Sequence, residues 1–426
     1  MRLYDTFTRS LVELPPPPGP IRMYFCGSTV YQRIHVGNAV PEVLARWLKR
    51  WLQATGYETK LVINVTDVND KIYDAAPGAS ARLAADATRW YLEDVARLGL
   101  GTPDVQPTAV ETVPDQIRMI EQLIERGFAY EADGDVYFRV ARFADYGRLS
   151  RQRPDEMLDI EPNPRKEDPR DFALWKANKP GEDTSWESPW GKGRPGWHIE
   201  CSVMAEKHLG PEFEIHGGGL DLVFPHHENE IAQSRALGHP FAQIWMHNGM
   251  LRFAGEEMHK SVGNAVTLAD ALDRWGRETL LVFFLSGHWR KPLDYTDATL
   301  TAAAARAERL RDVFRSPSQP APGDAWERLA AALDEDFNTP QALAVLHEWR
   351  DHELLRRALA VFGLDSLAER EQAPPELIVL AEARARAREV RNWGEADLLR
   401  ERIEAAGWEV RDVSEPPFYR LVRRAA

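Results

Sequence analysis

The chain has 426 residues, 44% of them hydrophobic and 28% charged, with a formal net charge of −13. That length exceeds what one hydrophobic core serves, and the composition excludes a disordered chain, so several domains of roughly 100–200 residues are expected. The acidic excess argues against a broad polybasic surface for nonspecific nucleic-acid or membrane binding, and the two cysteines, Cys26 and Cys201, exclude a disulfide scaffold.

The opening MRLYDTFTRS has no apolar export segment, and no stretch approaches the ~18 apolar residues of a membrane span, so a cytoplasmic protein is expected. Pro15 to Pro18, with Gly19 and Pro20, reads as an extended spacer that sets off a short N-terminal lead-in. IRMYFCG predicts a buried strand, VLARWLKRWLQATGY a helix closing near Gly56, and KLVINVTD a second strand. Strand, helix, strand at this spacing predicts a βαβ unit, hence an α/β fold with a Rossmann-like parallel sheet.

Between 106 and 179 the pattern changes. VETVPDQIRMIEQLIERGF predicts an amphipathic helix, DVYFRV a strand, and the charged RLSRQRPDEMLDIEPNPRKEDPRD exposed loops, together an insertion that splits the sheet domain. The sheet domain resumes at GWHIECSVMAEKHLG and FPHHENEIAQSRALG. Beyond Tyr295 an Ala-, Leu- and Arg-rich stretch, broken at PSQPAPG and APPE, predicts an α-helical C-terminal bundle. The expected division is 1–110 and 196–250 for the split catalytic domain, 111–195 for the insertion, 251–297 for a connecting region, 298–370 for a helical bundle and 371–426 for a small tail.

His226 and Glu230 are four positions apart ahead of a helical stretch, so both side chains leave one helix face. With Cys26 and Cys201 they make two thiolates, an imidazole and a carboxylate, a four-ligand set suited to zinc. The same cysteines are also compatible with small buried hydrophobes, and His227 and Glu228 with solvated neighbours.

Several segments in order, among them MYFCGSTVYQRIHVGNA, NVTDVNDKI, GRPGWHIECS, GGGLDLVFPHHENEIAQS and DEDFNTPQALAVL, resemble the cysteinyl-tRNA synthetases. The resemblance runs from about residue 22 to 345 and returns more weakly in WGEADLLRERIEAAGWEVRD. It implies a zinc ion on Cys26, Cys201, His226 and Glu230, with Thr66 and Trp197 beside the substrate cysteine. It also implies that HVGN, with His35, Gly37 and Asn38, is the nucleotide signature, and that Lys260 and Ser261 belong to a second, mobile one. His35, Asn38 and Lys260 are the expected catalytic groups, and His216 and Asp221 of HGGGLD are expected to shape the adenosine or amino-acid pocket. Gly217, Gly218 and Gly219 either admit a ligand close to the backbone or form a turn.

The implied reaction converts L-cysteine and ATP, with Mg²⁺, to cysteinyl-adenylate and then charges tRNA(Cys). No membrane partner and a monomeric enzyme are expected. Departures from the family pattern are Glu257 for the first lysine of the second signature, followed by Met258 and His259, and Ser28, Gln32, Val40 and Asn69 near the first. They leave room for a weakened RNA-binding paralogue, and the shared chemistry leaves room for a ligase that joins cysteine to glucosaminyl-inositol. For tRNA, ARARAREVRNW and RLSRQR are candidate basic strips, or ordinary arginines paired with nearby acids. Trp393 either stacks on a base or packs a helix.

Overall fold

The computed structural model describes residues 1–153, 162–253, 256–257, 265–369, 373–413 and 416–423, with backbone only at 256–257 and 423. Strands β1 (Arg2–Asp5) and β2 (Ser10–Glu13) pair as an antiparallel hairpin. This differs from the expected detached lead-in. Leu3 is buried, and the Asp5 carboxylate accepts hydrogen bonds from the N–H groups of Phe7, Thr8 and Trp245. Two strands of four residues carry too little alternation to be recognised before they are paired.

Next come β3 (Ile21–Phe25), α1 (Ala39–Ala54) and β4 (Thr59–Ile63), the expected βαβ unit. Helix α1 buries Val43, Leu44, Trp47, Leu48, Trp51 and Leu52, and Gly56 takes the positive φ of 92° that ends it. Helices α2 (Asp70–Ala75) and α3 (Ser80–Ala96) follow β4. The insertion contributes α4 (Val113–Glu125), β5 (Ala129–Ala132), β6 (Asp135–Phe138), β7 (Phe172–Ala177) and β8 (Gly193–Pro195). These four strands form an antiparallel sheet in sequence order.

The main chain then returns through α5 (Trp197–Leu209), β9 (Glu212–Gly219), α6 (Glu228–Ala236) and β10 (Phe241–Asn248). The central sheet is parallel, in the order β10-β9-β3-β4, and Val105 and Thr108 bridge alongside β4 as a rudimentary edge. Connections leave β3 and β9 in opposite directions, so the crevice at their C-terminal ends is the switch point where such sheets take ligands.

A three-stranded connector consists of β11 (Leu251–Phe253), β12 (Glu256–Glu257) and β13 (Leu293–Tyr295), with α7 (Leu268–Trp275) and α8 (Arg277–Leu285) between the last two. The helical region follows as α9 (Asp297–Phe314), α10 (Ala325–Asp334), α11 (Thr339–Glu348) and α12 (His352–Val361). It shares one core with α1. The Trp47 indole donates to the Phe362 carbonyl and the Trp51 indole to the Asp334 carboxylate, both at 2.9 Å.

The tail comprises α13 (Pro375–Glu389), α14 (Trp393–Ala405), β14 (Trp408–Asp412) and β15 (Tyr419–Arg423) around a small core of its own. Its terminal hairpin was not anticipated. No helix among the described residues is long and apolar enough to cross a membrane.

Candidate active site

The apolar run of β3 ends at Phe25, and the next residue, Cys26, donates its N–H to Gly217 of the adjacent strand β9 at 3.0 Å. Its thiol therefore stands at the switch-point crevice. Cys201 reaches the same place differently, from the second turn of α5 and not from a strand end. The two sulfurs are 3.8 Å apart and unbonded.

Glu230 lies in α6, and His226 in the turn just before it. His226 Nε2 is 3.1 Å from Glu230 Oε1, as the four-residue spacing requires. Cys26, His226 and Glu230 are thus brought to one locus that His227 joins, and Cys201 lies beside it, outside that tightest group, with its sulfur 3.8 Å from that of Cys26. His227 is fully buried, its Nε2 is 3.3 Å from Cys26 Sγ, and Cys26, His226, His227 and Glu230 offer ligand atoms all within 4.8 Å of one another. The reading of His227 and Glu228 as solvated neighbours is therefore corrected: both are wholly buried. Glu228 accepts from the N–H groups of Gly147 and Ser150 at 2.9 and 2.8 Å.

The chemistry of this donor set fits a thiophilic cation. Burial, then the neighbouring Cys201, pushes the Cys26 thiol well above its usual range; burial likewise raises Glu230 and lowers His226. In a dry pocket these groups stay neutral, whereas a bound cation compensates the charge of thiolate and carboxylate. An outer ring of imidazoles supports the ligands. His216 Nε2 is 2.8 Å from Glu230 Oε2, His198 Nδ1 is 3.0 Å from His226 Nδ1, and His247 Nε2 is 2.7 Å from His227 Nδ1. Each occupies the position from which a second ring fixes the tautomer and orientation of a ligand. Of these, only His216 was singled out from the sequence. The paired histidines of PHHENE were the available signal for His227, whereas nothing local marks His198 or His247.

Trp197 opens α5 and stacks on the His226 ring, with centroids 4.2 Å apart and planes 27° from parallel. Thr66 is buried; its N–H donates to Ser28 O at 3.2 Å, and its hydroxyl accepts from the Asn64 amide at 3.2 Å. Asp221, by contrast, is exposed, on a short turn after β9. The three glycines have a packing reason. A Cβ on Gly217 would come within 2.2 Å of the Phe25 ring, and one on Gly218 within 3.0 Å of His227. They end strand β9 and do not form the turn that was the alternative expectation.

The HVGN segment forms a single helical turn that leads into α1, with His35 N–H donating to Asn38 Oδ1 at 3.3 Å. A Cβ on Gly37 would lie 2.9 Å from the His35 imidazole, so glycine lets that ring fold back over the turn. Val36 N–H donates to Val266 O, and Leu268 N–H to Ile34 O, each at 2.9 Å. The first signature is thereby laced to the chain just after the second. Met258, His259, Lys260 and Ser261 themselves lie outside the described residues. Asn69 caps α2, accepting from Lys71 N–H at 3.1 Å, a position where asparagine and aspartate serve equally.

The candidate RNA strips are mostly internally paired. Arg384 and Arg388 meet Asp412 at 2.7 and 3.2 Å, Arg386 meets Glu382 at 4.0 Å, and Arg148 meets Asp145 at 3.1 Å. Trp393 is 54% exposed with Arg388 over its ring, which does not match helix packing.

Comparison with known proteins gives a consistent result. Residues 15–305 match the family described as tRNA synthetases class I (C) catalytic domain, and residues 328–352 match the DALR domain. A cysteine–tRNA ligase of Geobacillus sp. (strain WCH70) is 42% identical over 95% of this chain and 96% of its own. One from Methylobacillus flagellatus is 41% identical over 99% of each. Among solved structures, Mycobacterium tuberculosis methionyl-tRNA synthetase bound by methionyl-adenylate is similar in fold. It has a TM-score of 0.60 at 14% identity, covering 81% of this chain and 88% of that one.

Proposed function

The chain belongs to the cysteine–tRNA ligase family of class I aminoacyl-tRNA synthetases, and from that membership we propose how its residues carry the reaction. The reaction joins L-cysteine to tRNA(Cys) at the expense of ATP, through cysteinyl-adenylate.

The observation that carries the residue assignment is the buried cluster of thiol, imidazole and carboxylate at the end of β3. Cys26, Cys201, His226 and Glu230 would hold zinc there, with His227 as a close neighbour. When bound, zinc supplies a thiophilic Lewis acid that favours the thiolate of cysteine over the hydroxyl of serine, a distinction that apolar packing reads poorly. His216 orients Glu230, and His198 orients His226. The Trp197 ring covers the metal side of the pocket, and the Thr66 hydroxyl, held by Asn64, faces the substrate. Asp221 and the exposed end of HGGGLD border its outer rim.

On the other side of β3, the HVGN turn and the start of α1 present backbone N–H groups and partial positive charge to ATP phosphates, with His35 and Asn38 as side-chain donors. Lys260 and Ser261 take up charge on the leaving pyrophosphate, and Mg²⁺ carried with ATP would supply further countercharge there. The substrate carboxylate oxygen bonds to the α-phosphorus as the bond to pyrophosphate breaks. The terminal ribose hydroxyl of the tRNA then attacks the carbonyl carbon, releasing AMP. The helical region from 298 and the tail from 371 grip the body of the tRNA.

The test is cysteine-dependent ATP–pyrophosphate exchange before and after chelation. Activity lost with the metal and regained on adding zinc is the expected result. Full activity in a verified metal-free preparation overturns the zinc assignment.

A further inference from the structure

Glu200 is fully buried in the first turn of α5, between Trp197 and Cys201, and neither of its carboxylate oxygens has a hydrogen-bond partner of full geometry. Buried polar groups are nearly always paired, so an acid placed this way marks a position of use. Burial, then the neighbouring Cys201 and Asp67, pushes its carboxyl well above the usual range. The largest influence holding it down is the Thr66 hydroxyl, acting as a hydrogen-bond donor. Arg194 acts on it more weakly and is engaged with Asp70 and Glu182. Glu200 therefore lies against the end of β4, at the residue expected beside the substrate cysteine, on the helix that also carries Trp197 and Cys201.

The Thr66 hydroxyl has one proton and two lone pairs to place. Gly27 N–H donates to Asn64 Oδ1 at 2.8 Å, which fixes the way the Asn64 amide faces. Its Nδ2 therefore donates to Thr66 Oγ1, at 3.2 Å, and cannot accept from it. With one lone pair taken by Asn64, the hydroxyl proton turns to another acceptor, and the Glu200 carboxylate is the one on which it acts. One lone pair then remains on the oxygen, with its direction set from two sides. The backbone of Thr66 is held as well. Its N–H donates to Ser28 O at 3.2 Å, and its carbonyl accepts from Val30 N–H at 3.1 Å.

From this arrangement we infer that Glu200 is a positioning residue for the ammonium group of L-cysteine: it takes the Thr66 proton, and the lone pair left on Thr66 Oγ1 accepts from that ammonium. The inference rests on the cysteine-activation reading above and adds how the amino end of the substrate is recognised. The metal cluster reads the thiol, whereas a lone pair held in one direction tells an amino acid from a thiol acid that lacks the amine. An acceptor behind the hydroxyl also polarises it and makes its oxygen a better acceptor in turn.

The experiment measures the dissociation constants of L-cysteine and of 3-mercaptopropionate, the same molecule without its amino group, by titration calorimetry of the zinc-loaded chain. Glu200→Met removes the acceptor at similar size. It is expected to weaken L-cysteine about tenfold or more and the amine-free thiol hardly at all. Glu200→Gln keeps one acceptor oxygen and should retain most of the difference between the two ligands. In Thr66→Val, adding Glu200→Met should change little, because the hydroxyl it acts through is gone. An unchanged ratio between the two ligands, equal weakening of both, or an undiminished effect of Glu200→Met in Thr66→Val would each overturn the assignment. If Glu200→Met loses cooperative unfolding, Glu200→Asp, which draws the carboxylate back by one carbon, carries the same test. Failure of the cysteine-activation reading is distinguishable, because the unaltered chain would then show no cysteine-dependent ATP–pyrophosphate exchange.

Discussion

His216 hydrogen-bonds to the metal cluster through Glu230, with Nε2 2.8 Å from Oε2, and its ring packs against His227 with centroids 4.5 Å apart. Its removal should therefore weaken metal retention without removing a ligand. His216→Ala is expected to lower zinc affinity about 10–100-fold, the usual effect of losing an outer-shell partner, as measured by competition with a chromogenic chelator. Cys26→Ala removes a ligand outright; elemental analysis should find far less than one zinc per chain, and cysteine-dependent exchange should be lost. Away from the metal, Gly217→Ala places a methyl group 2.2 Å from the Phe25 ring, a backbone-to-core collision. Such overpacking costs about 1–3 kcal/mol, read as a lower urea midpoint. The Cys26 outcome follows from the ligand set read in the sequence, whereas those for His216 and Gly217 are not visible in the motif itself. HGGG looks like a flexible turn until β9 is set beside β3.

At the scale of elements, the PHHENE segment divides its labour between two neighbours. His226 and Glu230 face the sheet end, whereas Glu228 faces the insertion and accepts two backbone N–H groups from residues 147 and 150. The insertion is thereby fastened to the helix that carries the metal ligands. Glu228→Ala should cost about 1–3 kcal/mol for each N–H left buried without an acceptor, seen in denaturant unfolding, and Glu228→Gln should cost less because it keeps one acceptor oxygen. The βαβ unit, the insertion and the helical C-terminal region were legible because their periodicity runs over many residues. The N-terminal hairpin and the tail hairpin were not. Their strands have four or five residues, and pairing, not local pattern, makes them strands.

For the whole molecule, the buried imidazoles set a dependence on acid. Burial lowers His198, His216 and His247 to about 3. An unfolded chain protonates these rings near an ordinary pKa of ~6.5, so below that pH it binds more protons than the fold does. Stability is then complete above about 6.5 and declines as pH falls toward about 3, and metal-free protein should show a lower urea midpoint at pH 5 than at pH 7.

By itself the sequence determined the family, the reaction, the βαβ unit with its insertion and helical C-terminal region, and three of the four residues in the tightest ligand cluster. These follow from contiguous motifs and from spacings within single elements, such as the four residues between His226 and Glu230. Only the tertiary structure decided that His227 joins them, that His198, His216 and His247 back them, and that Trp393 is exposed. The physical reason is one of distance along the chain. Residues 26, 201, 227 and 247 meet because strands β3, β9 and β10 and helices α5 and α6 pack together, and no local periodicity records which faces those elements turn toward one another. The same holds for the −13 charge: it describes the whole surface, whereas two arginines of the candidate RNA strip in the tail, Arg384 and Arg388, meet Asp412 in pairs that only folding creates.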